Sequence, residues 1–263
     1  MKKHLRIAWV LLRCRVSRQM VYRLSFWTAF FVDMTYFLLQ LLTFSTIFRQ
    51  IDTIGGWGLP HMAIFLGTFT MLDAVYMCTY FFGVIGIPEK IRTGALDLYL
   101  TRPVSALYLL SIEGLDFGSI LVTLPGLLMV AWGVRASGIL ITPLLVAGYL
   151  VLFVMMYLLM YCVMILLRAP AFWLLRVNAF GELEGALVEF AFRVPGTVYR
   201  GIWKMILYIA LPYGLMATLP TQFLTGEMHW RHWLLAGGVL AGFWILTTWV
   251  WKTGLRRYGS ASS

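Results

Sequence analysis

Six long apolar runs are the feature that most constrains how this chain folds. A helix needs about 20 predominantly apolar residues to cross the hydrocarbon of a bilayer, and six stretches reach or approach that length. They are residues 25–48, 62–87, 106–132, 138–167, 205–219 and 233–251. Because 61% of the 263 residues are hydrophobic and only 12% are charged, little of the chain is left to build a soluble domain. The sequence therefore predicts an all-α polytopic membrane protein with six transmembrane helices, forming one domain over residues 1–263.

Two further segments have the apolar periodicity of amphipathic helices. Residues 1–24 combine this periodicity with many basic side chains, which predicts a helix lying on an anionic membrane face. Residues 168–204 contain a second such helix between spans four and five, with five ionisable residues from Arg176 onward. Each costs about 2.5–3.5 kcal/mol at the membrane centre. We therefore predict that 168–204 lies at the cytoplasmic interface and does not cross the bilayer.

The distribution of basic residues predicts the orientation of the chain. If the N-terminus is cytoplasmic and all six runs span, 18 of the 21 Lys and Arg residues lie inside. Only Arg49, Arg135 and Arg231 remain outside, which is the bias expected of a cytoplasmic face. The prediction is that both termini are cytoplasmic and that residues 220–232 form an external loop.

The net charge of +10 does not indicate a nucleic-acid partner. Nucleic-acid binding would require a block of basic residues with interleaved aromatics, and the basic residues here lie mostly between apolar runs. The partners predicted from charge are therefore membrane lipids and not nucleic acid.

The stretch EKIRTGALDLYLTRP, residues 89–103, is a polar interruption between the second and third runs. Pro88 precedes it and Gly94 lies within it, and these residues predict short helical turns separated by a break. We call residues 88–105 the 88–105 loop. Two interpretations remain open from composition, because the loop either only satisfies the positive-inside rule or also contacts a partner.

Four carboxylates fall within predicted spans: Asp33 in the first, Asp73 in the second, and Glu113 with Asp116 in the third. Such residues are costly in hydrocarbon and mark a transport pathway or an internal partner. They either line a route that favours cationic or amphipathic substrates, or are hydrogen-bonded or ion-paired inside the bundle, for instance to Arg102. Glu113 and Asp116 are predicted to share one helix face.

The sequence contains no pattern typical of a catalytic or metal site. No GxxxxGK[ST] phosphate loop occurs, so the chain has no visible means of hydrolysing ATP by that route. His229 and His232 form an HxxH pair without a further ligand nearby, and the three cysteines have no ligand spacing. The sequence predicts no catalytic residue, no metal and no cofactor in this chain.

Two stretches resemble a known family. IRTGALDLYLTRPVSALYL, which follows a span ending in GIPEK, resembles the cytoplasmic loop of ABC-2-type transporter permeases. More narrowly, it is similar to the six-span permeases related to multidrug and viologen exporters. VPGTVYRGIWKMILYIALPYGLMATLPTQFLTG is similar to that family's fifth span and the outer segment after it, with Pro195, Tyr199, Pro212 and Pro220 at matching places.

The resemblance implies a permease subunit of an exporter in the bacterial cytoplasmic membrane, not itself an enzyme. It would pair with a second permease, identical or homologous, and sit on two ATPase subunits that hold ATP and Mg²⁺. The 88–105 loop would then be the coupling element, with Leu96, Tyr99 and Leu100 filling a cleft on the ATPase. The other residues of this predicted contact are Glu89, Lys90, Arg92, Gly94, Asp97, Arg102 and Pro103.

Two alternatives belong to other functional classes. The first is a secondary transporter or channel that works without an ATPase and uses Asp33, Asp73, Glu113 and Asp116 for ion coupling. The second is a membrane scaffold or assembly factor that transports nothing. The sequence leaves open the substrate and the choice between a homodimer and a heterodimer of permeases.

Overall fold

A computed structural model of the chain describes residues 23–174 and 178–258. Across these residues the chain forms α-, 3₁₀- and π-helical segments and no β-strand, which confirms the predicted all-α class. The amphipathic helix predicted for residues 1–24 lies almost entirely outside the described residues.

The described residues form twelve α-helices. In chain order they are α1 (Arg23–Ile47), α2 (Leu59–Tyr76), α3 (Phe82–Ile85), α4 (Ile87–Arg92), α5 (Asp97–Leu100), α6 (Ala106–Glu113), α7 (Thr123–Ala136), α8 (Pro143–Arg168), α9 (Asn178–Arg193), α10 (Gly201–Met205), α11 (Thr218–Leu224) and α12 (Trp230–Arg257). A π-helical turn, Met77–Phe81, joins α2 to α3, and a second, Ile206–Ala210, follows α10.

Within residues 23–174 and 178–258, five stretches are long and apolar enough to cross a membrane, which confirms a multi-pass protein. They are Phe30–Ile47, Leu59–Arg92, Ser119–Ala136, Pro143–Phe172 and Trp230–Arg257. A further pair, Gly201–Ala210 and Pro212–Leu224, meets the same criterion only when its two parts are taken together, and the pair is bent by 88°.

The core lies around α2 and α8. Nearly every residue of α2 from Met62 to Thr70 is buried, and α8 buries a row of apolar side chains that faces it. Hydroxyl groups join α8 to α2 and to the π-helical turn after it: Thr68 Oγ1 lies 2.9 Å from the Tyr149 hydroxyl, and Thr79 Oγ1 lies 2.7 Å from the Tyr157 hydroxyl. Each pair satisfies two polar groups away from water, so the helices are fixed in register as well as in contact.

The bundle has two ends, which we name by their loops. The loop end holds the 88–105 loop, and Arg257 and Tyr258 line a cavity with Pro88 there. The opposite end holds residues 48–58. At that end Trp57 Nε1 donates a 2.9 Å hydrogen bond to Glu227 Oε2 and thereby joins the α1–α2 loop to the α11–α12 loop.

Helix α9 runs from the loop end to the opposite end. Gly181 and Glu182, near its start, line the loop-end cavity. Phe192, near its end, packs edge-on against Phe69 of α2 with ring centroids 4.4 Å apart. Beyond the helix, the Thr197 side chain would lie only 2.6 Å from a Cβ at Gly55, which belongs to the opposite end. The prediction that residues 168–204 stay at one membrane face is therefore wrong.

Two physical facts explain this placement. Glu184, which the sequence argument counted as an isolated charge, is buried in an ion pair with Arg168, and pairing lowers the cost of a charge inside the bundle. The positive-inside bias also survives, because among the described basic residues only Arg200 and Lys204 move toward the end that holds the three predicted outside.

The bent pair, Gly201–Ala210 with Pro212–Leu224, follows α9. It enters the bundle from the opposite end and turns back to that same end. Its break is at Leu211, with φ −135° and ψ 78°, followed by Pro212, which has no N–H group to continue a helix. The predicted fifth run, 205–219, is thus a re-entrant pair and not a straight span. In the described part of the chain, α9 and not this pair connects the two ends of the bundle between α8 and α12.

The predicted third span is interrupted. Helix α6 ends at Glu113, and Gly114 leaves helical geometry with φ −97° and ψ 30°. A 3₁₀ turn, Ser119–Val122, restarts the path into α7. The prediction that Glu113 and Asp116 share one helix face is therefore wrong, because the helix ends between them.

Candidate functional site

The 88–105 loop continues the long helical path of α2 and then reverses. Helix α4 ends at Arg92, and Gly94 adopts φ +75°, a left-handed conformation that favours glycine. The N–H of Leu96 donates to the carbonyl of Lys90 at 3.1 Å, which closes the helix end. The break predicted at Gly94 is confirmed.

The reversal decides which leucines of the loop are accessible. Leu96 is 0% exposed and belongs to the core of the bundle, whereas Leu98 is 66% and Leu100 is 42% exposed. Leu96 therefore stabilises the loop against its own chain, and the apolar surface offered at this end is formed by Leu98 and Leu100. The predicted contact between Leu96 and a partner is not supported, because the sequence does not show the direction that the chain takes after Gly94.

Glu113 binds the loop to α6. Its Oε2 lies 3.1 Å from Lys90 Nζ and accepts a 2.7 Å hydrogen bond from the Tyr99 hydroxyl. The ring of Tyr99 lies between two cations, with Lys90 Nζ 5.8 Å and Arg102 Cζ 5.9 Å from its centroid. Of the two interpretations given for Glu113, the geometry favours the internal ion pair, with Lys90 as the partner.

The end of α12 also contacts the loop region, a feature that sequence reasoning missed. Phe172, which follows α8, packs edge-on against Trp251 with centroids 5.3 Å apart and against Tyr258 at 6.3 Å. Burial and the neighbouring Asp97 carboxylate raise the pKa of the Tyr258 hydroxyl, so the hydroxyl stays protonated at neutral pH. The sequence signal for this contact is the aromatic residue Tyr258, which directly follows the last two arginines in RRY.

Replacing Tyr99 by Phe is expected to loosen the loop without unfolding the bundle. The change removes a hydrogen bond to a charged acceptor, which contributes about 1.5–3 kcal/mol, and leaves the ring between its two cations. We expect a lower thermal midpoint in detergent and faster backbone hydrogen exchange confined to residues 88–113. Tyr36→Phe is the matched control because Tyr36 is 71% exposed; equal exchange in both variants would contradict the role given to Tyr99.

Three cavities follow one another between the two ends of the bundle, and α1 lines the middle and opposite-end ones. The loop-end cavity has a volume of about 1000 Å³, the middle cavity about 490 Å³ and the opposite-end cavity about 640 Å³. The loop-end and middle cavities share Asp73, Met77 and Glu189 in their walls, and the middle and opposite-end cavities share Phe37 and Phe44. Together they form a track between the two ends of the bundle.

The structure separates the four carboxylates that the sequence singled out. Asp33 and Asp73 line the middle cavity, whereas neither Glu113 nor Asp116 is among the described residues that line the three cavities. Asp116 instead accepts hydrogen bonds from the Gly118 N–H and the Ser119 hydroxyl, both at 3.2 Å. The geometry therefore brings only Asp33 and Asp73 together as candidates for a pathway.

A buried ion pair closes one wall of the loop-end cavity. Arg168, at the end of α8, pairs with Glu184 of α9, and both side chains are buried. The Tyr213 hydroxyl, near the tip of the re-entrant pair, lies 3.4 Å from Glu184 Oε1. One carboxylate thus connects α8, α9 and the re-entrant pair. Sequence reasoning missed this group, and its only signal was an unusually placed Glu in an apolar helical pattern.

Comparison with known proteins gives one match. The model of a family described as "ABC-2 family transporter protein" matches residues 34–262, which is most of the chain and includes the 88–105 loop and the described walls of the three cavities except Asp33. No curated protein and no solved structure was found to match the chain.

Proposed function

The chain belongs to the ABC-2 family of transporters, and we propose that it is the transmembrane permease subunit of an ATP-driven exporter. Two copies of a separate ATPase subunit would hold ATP and Mg²⁺, and a second permease, identical or homologous, would complete the transmembrane part. The observation that carries the proposal is the 88–105 loop, which presents an exposed apolar surface on a rigidly held support.

Rigidity matters because nucleotide-driven movement of an ATPase reaches the spans only through a contiguous physical connection. The loop is held on three sides: α4 continues the path of α2, Glu113 binds Lys90 and Tyr99, and Tyr258 lies beside Asp97. A displacement applied to this loop is therefore passed to α2, α6 and α12 together.

The accessible surface of the loop has the composition of a docking site. Leu98 and Leu100 are exposed at its centre. Charged side chains surround them, since Arg102 is exposed and Arg92 is exposed in a two-pronged contact with Glu89, with nitrogen–oxygen distances of 2.7 and 3.0 Å. An apolar centre with a charged rim is the usual anatomy of a protein interface.

The orientation follows from the same proposal. The loop end would face the cytoplasm, where ATP is available, and the excess of basic residues assigned to that end supports this assignment. The track of cavities between the two ends of the bundle would be the route, or part of it, along which a hydrophobic or amphipathic compound leaves the bacterial cytoplasmic membrane.

The test is copurification of ATP hydrolysis with the tagged full chain from its own host membrane. We expect the wild-type chain to bring down a phosphate-loop ATPase and a vanadate-sensitive ATPase activity. The double variant Leu98→Glu and Leu100→Glu should reduce that activity about tenfold or more, because two charges are buried at the centre of the interface. Membrane insertion should be unchanged, because both side chains are exposed in the free subunit.

Leu140→Glu is the matched control, since Leu140 is 86% exposed in the loop between α7 and α8 at the opposite end. It should keep full ATPase activity. If the wild-type chain brings down no ATPase and its transport survives ATP depletion, the subunit works as a secondary transporter or channel. If the double variant docks as well as the control, the contact lies elsewhere.

A further inference from the structure

We infer that the opposite end of the bundle binds the phosphate group of an anionic phospholipid. Four basic side chains from two elements hold it: Arg200 and Lys204 at α10, and Arg231 and His232 in the first turn of α12. We call these four residues the opposite-end cluster. The lipid remains bound to the protein, is not the transported compound and does not depend on ATPase docking.

The opposite end has more basic than acidic side chains. It holds the three basic residues predicted outside and two further ones at α10, whereas its described loops contain two carboxylates, Asp52 and Glu227. Glu227 is already engaged, because its Oε2 accepts the hydrogen bond from Trp57 and its Oε1 lies 3.8 Å from His61 Nδ1. Most of the positive charge at this end is therefore not balanced within the described part of the chain.

The basic side chains of the opposite-end cluster are accessible to an anion. Arg200, Lys204 and Arg231 are exposed, and none of them forms an ion pair with another described residue. Two of them lie over aromatic rings, with Lys204 Nζ 5.5 Å from the centroid of Tyr208 and Arg231 Cζ 5.7 Å from that of Trp230. Such contacts orient a cation but do not neutralise its charge.

The fold brings the charges of α10 and α12 into one region. Lys204 and His229 both act electrostatically against a positive charge on His232. The backbone N–H of His229 donates to His232 Nδ1 at 3.0 Å, so in the neutral ring Nε2 carries the proton and can donate to an anion. The N-terminus of α12 adds the positive end of a long helix dipole. An anion bound here would relieve the repulsion between these groups.

The side chains next to the cluster are apolar or aromatic, which identifies the anion as part of a lipid. Ile202, Trp203 and Met205 of α10 are exposed, as are Trp230 and Leu234 at the start of α12. Tryptophan is enriched at the level of the lipid headgroups, and basic side chains at this level attract anionic lipids. An anionic phospholipid matches both parts of the surface, because its phosphate contacts the cations and its acyl chains cover the apolar side chains.

A photoactivatable phosphatidylglycerol, with its diazirine group beside the phosphate, tests this inference. The full chain is reconstituted in nanodiscs of phosphatidylcholine that contain a trace of this probe, and the crosslinked peptides are mapped by mass spectrometry. We expect crosslinks in residues 200–205 and 229–235 that unlabelled phosphatidylglycerol displaces, whereas added phosphatidylcholine and inorganic phosphate do not. The double variant Lys204→Gln and Arg231→Gln should reduce their yield about tenfold or more, because two cations that attract the headgroup are lost.

Arg49→Gln with Arg135→Gln is the matched control, because both are exposed basic residues of the same end but belong to the α1–α2 loop and to α7. It should leave the yield unchanged. Lys204→Arg with Arg231→Lys keeps both charges and should retain the crosslinks, which separates lost charge from a disturbed fold. No crosslinks in these segments, equal displacement by phosphatidylcholine, full yield in the first double variant, or an equal loss in the control would each overturn the inference. Displacement by inorganic phosphate would show a site for a soluble anion and would also overturn it.

Discussion

Replacing Arg168 by Met is expected to destabilise the protein by about 3–5 kcal/mol, because it leaves the buried Glu184 carboxylate without its cation. The group belongs to a junction of α8, α9 and the re-entrant pair, so all three elements lose a common fixed point. The measurement is unfolding of the full chain by SDS in mixed micelles, followed by tryptophan fluorescence. Glu184→Gln should be similarly destabilising because it strands Arg168.

The double variant Arg168→Met and Glu184→Gln should recover part of the loss, since no buried charge then remains. Glu189→Gln is the control on the same helix. It breaks the exposed pair with Arg193, for which a loss of only about 0.3–0.5 kcal/mol is expected. A double variant no more stable than its single parents would show that the cost arises from lost packing and not from a stranded charge.

Replacing Gly83 by Ala should separate α3 from α6, because the two helices contact each other there through their backbones. A Cβ at Gly83 would meet the carbonyl oxygen of Leu110 inside normal contact distance and would lie 2.7 Å from that of Ser111. Neither is the movable end of a side chain, so α6 must shift. We expect a loss of about 1–3 kcal/mol or more and a reduced yield of folded protein in detergent.

Gly238→Ala is the matched control for Gly83→Ala. Nothing lies within 4 Å of a Cβ at Gly238 in the described part of the chain, so its change should stay within about 0.5 kcal/mol. Because α6 carries Glu113, the Gly83 variant should also lose part of the copurified ATPase activity. Equal stability of the two variants would contradict the backbone contact between α3 and α6.

The straight spans were predictable because hydrophobic length alone defines them. Residues 25–48 and 233–251 correspond closely to α1 and α12, and 138–167 to α8. The family resemblance was also accessible, because the 88–105 loop carries its own sequence pattern. In these cases the local sequence contains all the information that the structure uses.

The path of α9 was not predictable from its own residues. Its charges argued against crossing the bilayer, and the compensating group, Arg168, lies in another helix. The re-entrant pair was mistaken for a span for a related reason, since an apolar run does not show that its chain reverses at Leu211. Both errors come from tertiary partners that local hydropathy does not contain.

The placement of the four candidate carboxylates also depends on tertiary contacts. The structure brings Asp33 and Asp73 together in one cavity wall, whereas Glu113, for which the sequence left a pathway and an internal ion pair open, is bound to Lys90 and Tyr99. Whether a carboxylate faces a cavity or a cation depends on helix rotation, which one glycine such as Gly114 changes. The sequence therefore identified four candidate carboxylates, and tertiary contacts decide which of them line one cavity.

The length of the second crossing sets the distance between the membrane and whatever binds the loop end. Leu59–Arg92 contains 34 residues, which is about 50 Å at 1.5 Å per residue, against a hydrocarbon thickness of about 30 Å. The crossing is thus about 20 Å longer than the hydrocarbon is thick, and the segment with Leu98 and Leu100 follows its loop end. A partner docked there stands clear of the bilayer, and a small tilt of this crossing becomes a larger sideways displacement at its protruding tip, so the crossing acts as a lever.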